Sequence, residues 1–531
     1  MAENAAENLE DEELRIETEP FGLAPEGVDS LARELAGHPA VLDYLSGTNH
    51  RLLAAELLPP AQKTEEPALP DRFSSTFYDY TNNRAVLVTG PLDDLGRARV
   101  EESGQQPLPS PEEVAAAIEI VSGHPELGPP VREGLLTPYP AMPPLVGSEL
   151  PDGRIERTLA IGLLPAENSR AVQHEIVGVN MIRNSVERYD DYAPPTSRAV
   201  RSTCGAPPSA GQATTGKGVA GQVWITVSQG GTQLWRFLAV RPSASSGTWG
   251  SGIELRYVDY RGRRVLYQAH LPILNVLYDR NACGPYRDWQ YEEGMLQASG
   301  ANVAPGFVLS ASPALTILDT GSDTGTFLGT GIYVLGQEVV LVSEMQAGWY
   351  RYVSQWRLRA DGVIRPRFGF DAVASSCVCN RHHHHAYWRL DFDIETPGNN
   401  QIREFNNPPI IPGTDWHTKS YEIMRLRAPN RRWVVENSAS GRGYAIVPGG
   451  NDGTAAGDPY ATGDLWFLRY HPNEIDDAPI SGTEIQIDKY KNGESLVNQD
   501  SVVWYGAHFT HDVAGPPVDH VVGPDLIPQN W

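Results

Sequence analysis

The sequence predicts a mainly β protein: a large antiparallel β-sandwich preceded by two small α+β domains. Three observations carry this. The 531 residues include 51 Gly and 43 Pro, and short Val/Ile/Tyr/Trp runs stand between these turn formers, the pattern of many short strands. Helical periodicity is confined to the early part of the chain. From Val223 onward strand signals recur with almost no helical spacing, which marks one β unit of about 300 residues.

Residues 1–20 carry eight acidic side chains and one Arg. They lack the basic and apolar regions of a signal peptide and read as a solvated acidic tail. The first small domain, 21–105, opens with apolar residues at helical spacing over Val28–Leu35 and Val41–Leu45, broken at Gly37-His38-Pro39. Strand-like Arg72–Tyr80 and Ala85–Val88 follow. The second, 106–195, opens at Ser110-Pro111-Glu112-Glu113, with a capping hydroxyl, a first-turn Pro and acid at the positive end of the dipole. Its helix runs to Val121, and strand-like Arg154–Leu164 and Ala171–Ile182 follow. The two helix ends read alike, Leu35-Ala-Gly-His-Pro-Ala-Val41 against Val121-Ser-Gly-His-Pro-Glu-Leu127, which suggests one design used twice. Residues 196–221 have linker composition, and 222–531 form the sandwich.

A formal net charge of −24 repels a phosphate backbone and argues against nucleic-acid binding. No apolar run reaches the ~18 residues of a membrane span. Four Cys in a chain this long make no disulfide scaffold. The compartment these features imply is the cytoplasm.

The loudest local signal is Arg381-His-His-His-His385-Ala-Tyr-Trp-Arg389-Leu-Asp391-Phe-Asp393. The apolar and aromatic residues that follow the His run read as strand. Residues i and i+2 of a strand share a face, so His382 and His384 point together, with His383 and His385 opposite. Such a pair offers a metal two imidazoles and needs a third from another strand; the alternative is a surface His run. His508 and His511 are the nearest candidates beside a β-branched run, although a lone His there is ordinarily a hydrogen-bonded structural one. Asp391 and Asp393, with Asp500 as a third oxygen donor, suit a hard cation such as Ca²⁺, against a solvated charged face. In Val340–Leu358, Tyr350, Tyr352 and Trp356 share parity and a face, as a core strand would arrange them. Cys377-Val-Cys379 suits a soft metal, a local disulfide or two inert thiols, of which we read the last. Cys204 and Cys283 have no readable role.

These pieces, in this order, resemble the copper amine oxidases, the quinone-containing primary amine oxidases. The resemblance rests on His382-x-His384 leading to Arg389-Leu-Asp-Phe-Asp393, Gly463-Asp-Leu-Trp466 with Tyr470 and Asn473-Glu474, Asn498-Gln499, and Asp500-Ser-Val-Val-Trp504 with His511 seven residues on. The Gly252–Tyr267 and Leu271–Tyr278 segments are similar to the entrance of that family's catalytic domain. The match spans about residues 223–528, and the first 195 fit the family's two small cystatin-like α+β domains.

The resemblance implies copper held by His382, His384 and His511. It also implies a second, Ca²⁺-type site at Asp391, Asp393 and Asp500 with the main-chain oxygens of Phe392 and Ser501, and a homodimer. Tyr278 falls where the family keeps a cofactor-binding Tyr. Tyr350, counted back from Trp356, falls where the family converts a Tyr to topaquinone. Here Trp349 and Arg351 replace the neighbouring Asn and acid of the family's N-Y-D/E motif, so the resemblance implies a divergent member. The family's basic Asp lies in a motif not preserved in Tyr286–Gly294; Asp288, Glu292 and Glu293 are the available carboxylates, and Glu293 is the one we favour.

The function implied is O₂-dependent oxidation of a small primary amine. The alternative is a copper oxidase or oxygenase in which Tyr350 stays unmodified and Trp349 shapes the pocket. Weaker readings are a three-His zinc hydrolase and a non-catalytic metal-binding homologue.

Overall fold

The computed structural model describes residues 13–22, 25–58, 63–103, 106–146, 148–149, 155–166, 175–188, 205, 221–247, 250–278, 286–288, 290, 293–322, 325–372, 377–379, 381–455, 459–476, 487–511 and 521–531. Among the described residues 52% are in strands and 11% in helices, and large antiparallel sheets dominate, as the sequence predicts.

The sandwich consists of a ten-stranded and an eleven-stranded sheet. The described pairs are antiparallel except for Phe307–Ser310 with Thr330–Leu335. Strand Gln222–Gln229 shows why these segments become strands. Val223, Ile225 and Val227 are fully buried in the core between the sheets, while Trp224 packs in a separate outer cluster with Leu238 and Tyr257. Period-two alternation therefore buries β-branched residues on one face. The central strands of the ten-stranded sheet run in the order Arg263–Tyr278, His382–Phe392, Ser501–His511, Leu465–Arg469. The side chains of His382–Phe392 and Ser501–His511 are almost wholly buried.

Each small domain sets helices beside a four-stranded antiparallel sheet. In the first, helices Pro25–Ala36 and Pro39–Tyr44 part at the expected Gly-His-Pro break. In the second, helix Pro111–Gly123 begins at Ser110, whose hydroxyl accepts from the Glu113 amide at 3.2 Å, the cap the sequence predicts. Strand Glu175–Asn180 falls inside its expected segment and Thr158–Pro165 runs one residue past Leu164; 171–174 and nearly all of the linker 196–221 lie outside the described residues. No helix among the described residues is long and apolar enough to cross a membrane.

One feature corrects the sequence reading. Residues 1–20 are not all solvated tail: strand Arg15–Phe21 pairs with Gln222–Gln229, from Arg15↔Ser228 to Phe21↔Gln222. Leu14 and Ile16 pack on the sandwich core. An edge strand leaves a row of backbone donors and acceptors unpaired, and this segment supplies them despite its charge.

The two small domains share a core. Leu53, Tyr78, Tyr80 and Ala85 of the first pack with Val114, Ala117, Leu159 and Val177 of the second. At the junction Glu113 accepts from Tyr80 Oη at 2.7 Å and from Arg157 Nη2 at 2.6 Å, and the Glu113 and Arg157 side chains are wholly buried. Glu113→Ala leaves Arg157 without its counter-charge. The expected cost is about 3–5 kcal/mol, read as a lower urea midpoint; an unchanged midpoint would show the pair to be dispensable.

Candidate metal centre

Strand His382–Phe392 pairs antiparallel with Ser501–His511, from His382↔His511 to Phe392↔Ser501. Directly opposed residues of an antiparallel pair share a face, so His511 meets the face that His382 and His384 already share. The three rings are buried, and one nitrogen from each lies within 4.8 Å of the others. His382 Nε2 is 2.9 Å from His511 Nδ1. Phe370 and Phe509 stack on His384 with ring centroids 4.0 and 5.4 Å away, enclosing it in apolar surface. Three converging imidazoles suit copper or zinc, and small ring rotations bring such nitrogens to one ion at about 2.0–2.1 Å.

Tyr350 reaches this cluster from the opposite sheet. It opens strand Tyr350–Arg359, joined to Glu338–Ala347 by the two residues Gly348-Trp349. Gly348 has φ +57°, as a two-residue hairpin with a positive φ at its first turn position requires. Tyr350 Oη lies 2.7 Å from His382 Nε2. Its ring stacks on Tyr352 at 5.2 Å and meets His384 edge-on at 5.1 Å. Trp349 is buried between Tyr350 and Tyr139 of the second small domain. Arg351 is also buried and donates to the Gly348 and Tyr350 carbonyls. The backbone of Tyr278 pairs with His382, while its side chain lies outside the described residues.

The carboxylate at the tyrosines is Asp288, not Glu293. Tyr352 Oη donates to Asp288 Oδ2, and burial pushes the Asp288 carboxyl up to about 7. Glu293 is instead held by Arg241, whose Nε donates to its Oε1 at 2.8 Å. That carboxylate is committed to a buried ion pair, which spacing alone did not reveal. Glu292 lies outside the described residues.

On the other face of the His strand, His385 and His508 join Nδ1 to Nδ1 at 3.0 Å, and His508 Nε2 lies 3.3 Å from Asp464 Oδ1. Burial holds His385 well below its usual range. His383 lies 3.2 Å from Thr510 Oγ1. These three histidines face away from the metal cluster. Cys379 is disulfide-bonded, so the Cys377-Val-Cys379 segment is not a pair of inert thiols; Cys204 and Cys283 lie outside the described residues.

At the far end of the same strand pair stand Asp391, Asp393 and Asp500, with Phe392 opposite Ser501. Between the carboxylates sits a side chain with no sequence signal, Lys63 of the first small domain. Its Nζ donates to Asp391 Oδ1 at 2.7 Å, Asp393 Oδ1 at 2.8 Å and Asp500 Oδ1 at 2.7 Å. Burial lowers the Lys63 pKa, but the three carboxylates outweigh it and leave the ammonium raised; burial raises Asp393 and Asp500.

A scan of models of known families and a search of curated proteins both find no match. Solved structures do match. A copper-containing benzylamine oxidase from Hansenula polymorpha is 13% identical, covering 91% of this chain and 94% of that one, with a TM-score of 0.55. A lysyl oxidase from Pichia pastoris is 14% identical over 96% and 89%, at 0.57. An Aspergillus nidulans amine oxidase is 15% identical over 96% and 88%, at 0.58. The matches run nearly the full length of both chains, small domains included, and the chain shares the fold of the copper amine oxidases.

Proposed function

We propose that the chain is a copper-dependent oxidase that uses O₂ to oxidise a small primary amine, with Tyr350 as the precursor of a quinone. The observation that carries this reading is the Tyr350 hydroxyl 2.7 Å from His382 Nε2 inside a buried three-His cluster. Copper bound there would supply the one-electron exchange with O₂ that an organic side chain lacks. The rest falls to the chain itself. His382, His384 and His511 would hold the metal; Phe370 and Phe509 keep bulk water from His384. Tyr352 stacks on Tyr350 and holds Asp288 by hydrogen bond. Asp288, a carboxylate above about pH 7, is the group able to take a proton from bound substrate.

Trp349 and Arg351 favour the second reading, a copper oxidase with Tyr350 unmodified. Trp349 is buried against the Tyr350 ring and crowds it, while the buried Arg351 donates to the Tyr350 carbonyl and places a cation where the family keeps an acid. One measurement separates the two readings: the mass of the Tyr350 peptide after copper loading in air. Gain of two oxygens with loss of two hydrogens is the expected result. An unmodified peptide beside bound copper would discard the amine chemistry and favour the second reading.

From the resemblance we carry over a homodimer. The cytoplasmic expectation is set against Cys379, since disulfides persist in oxidising compartments and are rare in the cytosol.

A further inference from the structure

The Asp391–Asp393–Asp500 cluster does not fit the Ca²⁺ that the resemblance implies, because its centre is filled by protein. We propose that Lys63 is the resident cation of this site, a built-in ammonium that replaces a divalent metal and fastens the first small domain to the sandwich.

The geometry is that of a designed cation site rather than of a surface contact. An ammonium has three donors, and here each goes to a different carboxylate at 2.7–2.8 Å. Ca²⁺ takes oxygens at about 2.3–2.6 Å, so it would need the space that Nζ fills. Tyr470 and Tyr267 present their rings to the same nitrogen, with centroids 4.1 and 4.9 Å away, a surround that suits an organic cation and offers a hard metal little. Arg389 Nη1 stands 3.8 Å from Asp391 Oδ2 and brings a second positive charge to the three acids. The Lys63 side chain is only 10% exposed. The two residues after Lys63 are docked as well: Thr64 Oγ1 lies 2.8 Å from Tyr257 Oη, and Arg264 Nη2 donates to the Glu65 carbonyl at 3.3 Å.

Position gives the contact its consequence. Asp391 lies in the strand that begins at His382 and Asp393 immediately follows it, and Asp500 immediately precedes the strand that ends at His511. The ammonium therefore ties together one end of the strand pair whose other end, roughly 30 Å away at 3.4 Å per residue, opposes His382 to His511. A domain distant in sequence thus helps hold the register that assembles the copper ligands.

The test uses the full chain with calcium alone. The native protein is expected to retain no calcium after dialysis and to unfold at the same temperature in millimolar Ca²⁺ and in EGTA. Lys63 is expected to resist amine acylation many-fold relative to exposed Lys489 and Lys491, in a chain with only five lysines to resolve. Lys63→Ala is expected to lower the unfolding temperature and to regain part of it on adding Ca²⁺, as the carboxylates gain room for the metal. Should that variant fail to fold, acylation of the native chain decides alone. One calcium retained per native chain, Lys63 acylated as fast as Lys491, or acylation of Lys63 released by Ca²⁺ would each overturn the assignment.

Discussion

Replacing Tyr350 by Phe is expected to abolish turnover while copper content and fold stay as they are. The substitution removes one oxygen, at 2.7 Å from His382 Nε2, and leaves the three imidazoles in place. The lost hydrogen bond costs about 1 kcal/mol of stability, too little to unfold a core in which Tyr350 packs among Trp349, Tyr352 and Phe370. Without a hydroxyl the ring cannot be oxidised to a quinone, so no residual rate is expected above that of the metal alone. Measuring copper per chain and turnover on the same sample separates chemistry from folding. Retained turnover in the copper-loaded variant would rule out Tyr350 as the cofactor precursor.

The second large effect is expected at Asp288. Asp288→Asn keeps the shape beside Tyr352 but cannot take up a proton, and kcat/KM should fall by about 10²–10⁴. In the native protein kcat/KM should rise with pH through about 7, as the buried carboxyl loses its proton; the variant should lack that limb. Stability should move the other way. The folded pKa is raised above the ordinary carboxyl value, so the folded chain holds this proton more tightly than the unfolded one. That contribution is full in acid and is lost as pH rises through about 7. The Asn variant escapes the loss and should be the more stable protein at pH 8. An inactive but destabilised variant, or a native rate flat from pH 6 to 8, would remove Asp288 from the proton-transfer role.

Much of the fold was legible because its signals are local. Alternation in Val223–Val227, the cap at Ser110 and the Gly-His-Pro helix break each act within a few residues of chain. The partnership of His382 with His384 is local too, since a strand returns to the same face every second residue. The junction of the small domains was less legible: the boundary near residue 105 separates Tyr80 from Arg157 and Glu113, yet Tyr80 and Arg157 together bury Glu113.

By itself, then, the sequence determined the β-sandwich, its helical prelude and the i, i+2 His pair, all consequences of backbone period acting on nearby residues. Only the tertiary structure decided which charges are used and by whom. Glu293 and Asp288 are five residues apart and chemically alike, yet one meets Arg241 while the other is buried against Tyr352. Arg15–Phe21 looks like solvated acid, but an open sheet edge recruits its backbone, which no side-chain pattern records. Lys63 stands 328 residues from Asp391 in a loop with no motif. Charge acts through space and burial rather than along the chain, so the ammonium among three carboxylates becomes visible only once the domains are packed.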